Sequence, residues 1–195
     1  MSHVKTDKLS ARTASGTITL GESGETLTIP SGVVLTNNGT ASGFGLFTSY
    51  AIVGQLSTST ESISSGAWRT RALNTEISDE DNIVTLSADQ ITLGAGNYYI
   101  SFMAPCYRCS GAIARFYNVT DAVQEGIGNE AFAYNAGDPY SMDSSIGSCR
   151  VSIAGSKVFE LQMMVEVTYG SAGGRNLLNS GGDELYSLVQ ILKEA

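Results

Sequence analysis

The chain has 195 residues, of which 19 are acidic and 11 are Lys or Arg, so its net charge is −8. An acidic protein repels phosphate backbones, and this balance argues against nucleic-acid binding. No apolar run approaches the roughly 18 residues of a membrane span, which argues against membrane insertion. With 22 Gly, abundant Ser and Thr, and short apolar runs, the composition favours an all-β chain with many turns.

The first segment, residues 1–14, is a polar leader that carries Lys5, Lys8 and Arg12 against the single acidic residue Asp7. It lacks the apolar core of a secretory signal, so none is expected. Its positive charge contrasts with the acidic remainder of the chain and predicts docking on an acidic partner. A solvated terminus is the alternative interpretation.

Residues 15–49 predict a short β stalk. Three short runs of apolar residues and Thr between Thr17 and Thr36 are separated by Gly-Glu-Ser-Gly and Pro-Ser-Gly, a pattern typical of short strands. Two or three strands with few large residues cannot close a core of their own. A second copy of the chain is the simplest cover, so the stalk predicts an oligomer. Residues 50–65, with a Ser/Thr-rich second half, are interpreted as a connector.

Residues 66–195 predict the main domain, because candidate strands recur there at the regular spacing of a sandwich or barrel. The predicted strands are Trp68–Leu73, Asn82–Leu86, Tyr98–Ala104, Ala112–Val119, Cys149–Ile153, Val158–Tyr169 and Leu185–Lys193.

Two of these strands differ in their polarity. In Val158–Tyr169, apolar residues alternate with polar ones, which predicts one solvent-facing side. Its apolar set is Phe159, Leu161, Met163, Val165 and Val167, and its polar set is Glu160, Gln162 and Glu166. The last strand is apolar on both faces: Leu185, Val189 and Ile191 lie on one, and Tyr186, Leu188 and Leu192 on the other. One face of a sandwich strand meets its own core, so the second face predicts contact with a neighbouring subunit.

Several segments of the main domain carry a family resemblance. They are Trp68–Asn74, Ile83–Leu86, Ile91–Ile100, Arg115–Asp121 and Glu184–Lys193. Together they resemble the tumour-necrosis-factor-like / complement-globular-head jelly roll found at the tips of bacteriophage fibres. The Leu-x-x-Gly-x-Tyr step from Leu93 to Tyr98 is the most specific part. The stalk is similar to N-terminal segments of phage fibre proteins.

The resemblance implies a ten-strand jelly-roll sandwich that packs as a homotrimer, with the first and last strands lining the threefold axis. Tyr186, Leu188 and Leu192 would then belong to the trimer interface, and Lys5, Lys8 and Arg12 would attach the protein to other virion proteins. It also implies a virion location and a non-enzymatic fibre or fibre-tip protein that binds host-cell receptors. A structural virion appendage, such as a head fibre, a cement protein or a short tail decoration, is the alternative. Relatives often carry a His in the strand after the Gly-x-Tyr step, whereas the only His here is His3. An activity or ligand that depends on that His is therefore not implied for this chain.

Little else in the sequence indicates chemistry. Cys106 and Cys109 form a C-x-x-C pair without a thioredoxin-like context, and three Cys are too few for a zinc site, so a local disulfide or reduced thiols are expected. The acidic segment Glu76–Asn82 lacks the alternation of a calcium loop and predicts a solvated turn. Catalysis by a Ser/His or Cys/His pair would need the terminal His3. We therefore expect no enzyme activity, no metal and no cofactor.

The segment Ala131–Asp143 is the predicted receptor-binding loop. Tyr134 and Tyr140 can stack on sugar rings, and Asn135 and Asp138 can form hydrogen bonds with hydroxyl groups. Such a loop suits a host surface glycan or protein. A connecting loop with buried tyrosines is the competing interpretation.

Overall fold

The computed structural model describes residues 19, 26, 28–34, 46–57, 61–134, 141–175 and 182–194. These residues form twelve β-strands, and no helix among them could span a membrane. By contacts the chain divides into Met1–Ala41 and Ser42–Ala195. In the first unit, the described residues 28–34 contain a turn closed by the Val33 N–H, which donates to the Pro30 carbonyl at 3.2 Å. Most of the predicted stalk, and the whole leader, lie outside the described residues.

The second unit consists of two antiparallel sheets. The front sheet has the order β10-β6-β12-β1-β3. Its strands are β1 (Phe47–Ser57), β3 (Thr75–Ser78), β6 (Gly96–Tyr107), β10 (Met142–Ile153) and β12 (Glu184–Glu194). The back sheet has the order β4-β5-β11-β7-β8, with two short strands, β2 and β9, pairing with β11 and β7. Its strands are β2 (Arg69–Thr70), β4 (Val84–Ser87), β5 (Gln90–Leu93), β7 (Ser110–Asn118), β8 (Val123–Ile127), β9 (Ala131–Ala133) and β11 (Lys157–Val165).

This strand order identifies a jelly roll. The chain passes from β3 in the front sheet to β4 and β5 in the back sheet, returns to the front in β6, and continues to cross until β12. Such repeated crossing between two antiparallel sheets is the jelly-roll pattern. Ten strands form the two five-strand paths, so the predicted ten-strand jelly roll is confirmed, with β2 and β9 as additions.

The core lies between the sheets and is closed by side chains that alternate along each strand. The predicted alternation of β11 is confirmed, because Phe159, Leu161 and Met163 are fully buried. Val53 and Ile100 of the front sheet belong to the same buried core. The strand ends at Val165, two residues before Val167, which was expected to extend the apolar face.

The first strand lies where the sequence predicted the stalk exit and a connector. Phe47–Ser57 forms β1, which pairs with β12 from Phe47–Glu194 to Ser57–Glu184. Ala51 and Val53 are buried in the sandwich core, and this burial explains why the segment is a strand. The sandwich therefore includes part of residues 50–65 in addition to residues after 66.

Candidate functional site

The outward face of the front sheet carries a row of large apolar and aromatic side chains across three strands. Tyr50 of β1 is paired with Leu192 of β12, which in turn is paired with Tyr99 of β6. Tyr50 and Tyr99 are exposed, and the ring of Phe47 lies 6.5 Å from that of Tyr99. Large apolar side chains therefore lie together at one end of the sheet face that points away from the core.

A second apolar row crosses the same face. Leu188 of β12 is paired with Met103 of β6, and Met103 is paired with Ile146 of β10. Between the two rows lies a polar pair, because the Ser101 hydroxyl donates to Gln190 Oε1 at 3.0 Å. The face thus alternates apolar and polar rows, which is a composition suited to a protein interface.

The predicted trimer-interface residues of β12 do not all lie on this open face. Leu188 and Leu192 are half-buried on it, while Val189 and Ile191 enter the core, so the two apolar faces of β12 are present. Tyr186 is only 3% exposed: a side chain built on Gly174 would lie 2.6 Å from its ring, and its hydroxyl donates to Glu184 at 2.9 Å. Tyr186 is therefore packed within its own protomer.

Leu185 departs from its predicted face. Simple alternation predicts that it shares a face with Val189 and Ile191, which are buried in the core, but Leu185 is 46% exposed. The pairing of β1 with β12 is irregular between Gly54 and Leu56, and this irregularity shifts the start of β12. A methyl group built on Gly54 would lie 2.8 Å from Leu185 Cδ1 and 2.9 Å from Ile77 Cδ1. The absent side chain of Gly54 leaves room for these two apolar residues on the outward face.

The predicted receptor-binding loop is described only at its edges, and these are mostly strand: Ala131–Ala133 forms β9, and β10 begins at Met142. Tyr134 is 50% exposed, and its N–H donates to the Ser141 hydroxyl at 2.6 Å. Asn135, Asp138 and Tyr140 lie outside the described residues. Phe132, which the sequence reasoning did not single out, is 62% exposed. In the sequence, the signal for this is the alternation Ala131-Phe132-Ala133, in which the two small residues share one face and Phe132 lies on the other.

The outward face of the back sheet is more polar. The guanidinium of Arg115 lies 4.2 Å from the ring centres of both Trp68 and Tyr117, and its Nε and Nη2 donate to Gln162 at 2.9 and 2.7 Å. Gln162 in turn donates to Glu160 at 2.6 Å. Burial is the main cause that lowers the pKa of Arg115. Because the polar groups of this cluster form hydrogen bonds with one another, we assign the cluster a structural role on the surface of the sheet.

The three cysteines and the acidic segment Glu76–Asn82 have structural roles. Cys106 and Cys109 are buried free thiols at the β6–β7 connection, and Cys149 is a free, half-buried thiol on β10. Burial raises the pKa of Cys149 to about 12, so it is an unreactive thiol. The acidic segment was expected to be a turn throughout, but its first part belongs to β3 (Thr75–Ser78), and the turn begins at Asp79, whose two oxygens accept the N–H groups of Ile83 and Val84. The described residues contain no group of three potential metal ligands.

No family model matches the chain, and no curated protein matches it. Among solved structures, murine APRIL at pH 8.0 is similar with a TM-score of 0.44 and 8% identity, over 74% of this chain and 98% of that chain. The globular domain of zebrafish complement 1qA protein is similar with a TM-score of 0.42 and 14% identity, over 73% of this chain and 94% of that chain.

Proposed function

We propose that the chain is a non-enzymatic, homotrimeric phage fibre or fibre-tip protein whose jelly-roll head binds host-cell surface receptors. The observation that carries the proposal is the outward face of the front sheet, with exposed Tyr50, Tyr99 and Ile146 around half-buried Leu188 and Leu192. Contiguous exposed apolar residues of this kind mark interaction surfaces. The natural cover for such a face is another copy of the chain.

The position of β12 supports an extensive contact. It is the middle strand of the front sheet, between β6 and β1, so its outward leucines lie at the centre of the face. Protein interfaces combine buried apolar groups with hydrogen-bonded polar ones, and here the two leucines lie on either side of the Ser101–Gln190 hydrogen bond. A closed ring of three copies would present three equal receptor sites, and avidity would strengthen weak individual contacts.

The remaining parts of the proposal follow the resemblance in the sequence. The basic leader, with Lys5, Lys8 and Arg12, would attach the protein to other virion proteins, and the protein would then lie on the virion surface. The loop that contains Tyr134, Asn135, Asp138 and Tyr140 would contact a host glycan or protein. Exposed Tyr134 and Phe132 at the start of this loop support that role, since exposed aromatics suit sugar and protein surfaces.

Light scattering coupled to size exclusion tests the assembly. We expect a trimer for the full chain at micromolar concentration and a folded monomer for Leu192→Asp, because an interface cannot bury an unpaired carboxylate. The matched control is Val123→Asp, which introduces the same charge at an exposed apolar residue of the back sheet. It should remain trimeric. A wild-type chain that is monomeric would refute the proposal.

A further inference from the structure

A groove lies on the outward face of the back sheet, one row away from the Arg115–Gln162 pair. It lies over the pairing of β7 with β11, where Ile113 is opposite Met164, and it has a volume of about 400 Å³. Met164 is partly exposed to it, and Ile113 is half-buried. The volume is within the roughly 300–1,000 Å³ of ligand pockets. The groove therefore offers an apolar floor to a side chain or small ligand.

Two carboxylates border this floor. Glu166 follows β11, and its Oε2 accepts the Gly111 N–H at 3.0 Å, while Glu130 precedes β9. A methyl group built on Gly111 would lie 3.3 Å from Glu166 Oε2 and 3.6 Å from Glu130 Oε1. The absent side chain of Gly111 thus leaves a gap between the two acids. Within the described part of the chain, neither acid forms an ion pair with a Lys or Arg.

We propose that this groove binds a lysine side chain presented by a partner polypeptide. The methylene groups of lysine would pack on Ile113 and Met164, and the ammonium would lie between Glu130 and Glu166. Lysine combines an apolar stem with a compact charge and three donors, which matches an apolar floor with acids on two sides. The planar fork of arginine is better suited to two oxygens of a single carboxylate.

Other ligand classes fit the groove less well. Its lining contains no aromatic ring on which a sugar could stack. The described residues provide no third acidic, His or Cys ligand that would complete a metal site. The net charge of −8 also favours approach of a basic partner over that of an acidic one.

Methyl NMR of the full chain, with labelled methionine and isoleucine methyl groups, tests this inference. The probe is a blocked Gly-Lys-Gly peptide, and the comparison is the same peptide with norleucine, which keeps the stem but lacks the ammonium. We expect the Met164 and Ile113 methyl signals to shift with lysine at millimolar concentration, as a single exposed ion-pair site implies, and to shift much less with norleucine. Raising the salt concentration should weaken the lysine response.

Three variants localise the binding. Glu130→Gln and Glu166→Gln should each weaken it roughly two- to five-fold, since each removes one ion pair, while the amide oxygen introduced by Glu166→Gln could still accept the Gly111 N–H. Gly111→Ala should abolish it by filling the gap without changing the charge. Glu80→Gln removes a charge from an exposed turn and should leave binding unchanged. Equal responses to lysine and norleucine, or no response at about 10 mM, would overturn the proposal. Unchanged binding in both Gln variants would do the same.

Discussion

The ring of Phe102 occupies the space that a side chain at Gly147 would need. The two residues are directly paired between β6 and β10, and a methyl group on Gly147 would overlap the Phe102 ring. The ring lies 6.3 Å from that of Phe116, which stacks at 5.1 Å on Phe159. A column of three aromatic rings thus connects the front sheet with the back sheet, and the glycine is part of what makes room for it.

Gly147→Ala is therefore expected to destabilise the sandwich. The added methyl would also meet the backbone of Gly128 at 2.9 Å, so moving the Phe102 ring alone would not relieve the overlap. Overpacking of this kind costs about 1–3 kcal/mol in the free energy of unfolding. Urea unfolding measures the loss. The control is Gly155→Ala, where a methyl group meets no atom within 4 Å and stability should hardly change. Equal stability of the two variants would contradict the packing described here.

Arg71 and Glu61 form an ion pair, with 3.0 Å between Arg71 Nε and Glu61 Oε1. Arg71 is fully buried and also donates to the Ser187 hydroxyl at 2.9 Å and to the Gly173 carbonyl at 2.7 Å. Burial raises the pKa of Glu61 and lowers that of Arg71, while each charge opposes the shift of the other. The charged form of the buried Arg71 guanidinium is therefore stabilised by the Glu61 carboxylate and by these two hydrogen bonds.

Replacement of that carboxylate, Glu61→Gln, should lower the free energy of unfolding by about 3 kcal/mol, because it leaves the buried guanidinium without a counter-charge. Chemical denaturation provides the measurement. Asp121→Asn is the matched control, since it removes the carboxylate of the Lys157–Asp121 pair, in which Asp121 is 42% exposed, and should have little effect. A loss for Glu61→Gln no larger than that of the control would show that Arg71 does not need its partner.

Strands with strong local patterns could be predicted from the sequence, and those defined by distant contacts could not. β11 was recognisable because apolar residues such as Phe159 and Leu161 alternate with polar ones. β1 was not, since only its pairing with β12 and the burial of Ala51 and Val53 distinguish it from a connector. Simple alternation puts Leu185 on the face of Val189 and Ile191, because alternation cannot foresee the irregular pairing next to Gly54.

The surfaces were predictable to different degrees. The double apolar character of β12 was visible in Leu188, Val189 and Leu192, since a strand with two apolar faces needs two partners. The burial of Tyr186 depends on Gly174, which lies outside its strand, and no pattern within β12 indicates it. Similarly, the groove acids Glu130 and Glu166 are far apart in sequence and come together only through the pairing of β7 with its neighbours.

Glu160 makes stability depend on pH. Burial disfavours its charged form, but hydrogen bonds from Gln162, Gln90 and Thr70 outweigh this, so the pKa of Glu160 lies below its ordinary value. Because the folded-state pKa is depressed, the stabilisation is present above the unfolded-state pKa of about 4.3 and is lost as pH falls through the folded-state value. The difference in unfolding free energy between wild type and Glu160→Gln should be larger at pH 7 than at about pH 3. Glu80→Gln, which removes a charge from an exposed turn, is the control. If the difference between wild type and Glu160→Gln were the same at both pH values, Glu160 would not be the source of the pH dependence.

Deletion of residues 1–12 tests the proposed virion attachment. It removes Lys5, Lys8 and Arg12, the three basic groups that contrast with the acidic remainder of the chain. We expect the truncated protein to remain a folded trimer, because no residue of the sandwich is removed, but to be missing from purified particles. Immunoblots of particles complemented with each form would measure incorporation. Normal incorporation of the truncated chain would place the attachment elsewhere.

The last prediction concerns the loop at Tyr134. If the loop binds the host, Tyr134→Ala and Tyr140→Ala should reduce adsorption to cells without lowering the melting temperature, since an exposed aromatic contacts the ligand more than the core. A buried tyrosine would instead cost about 3 kcal/mol or more on truncation. Val123→Ala, at an exposed apolar residue of β8, is the control for adsorption. Reduced stability with normal adsorption would identify a loop with a structural role, and would favour the structural-appendage alternative over host binding.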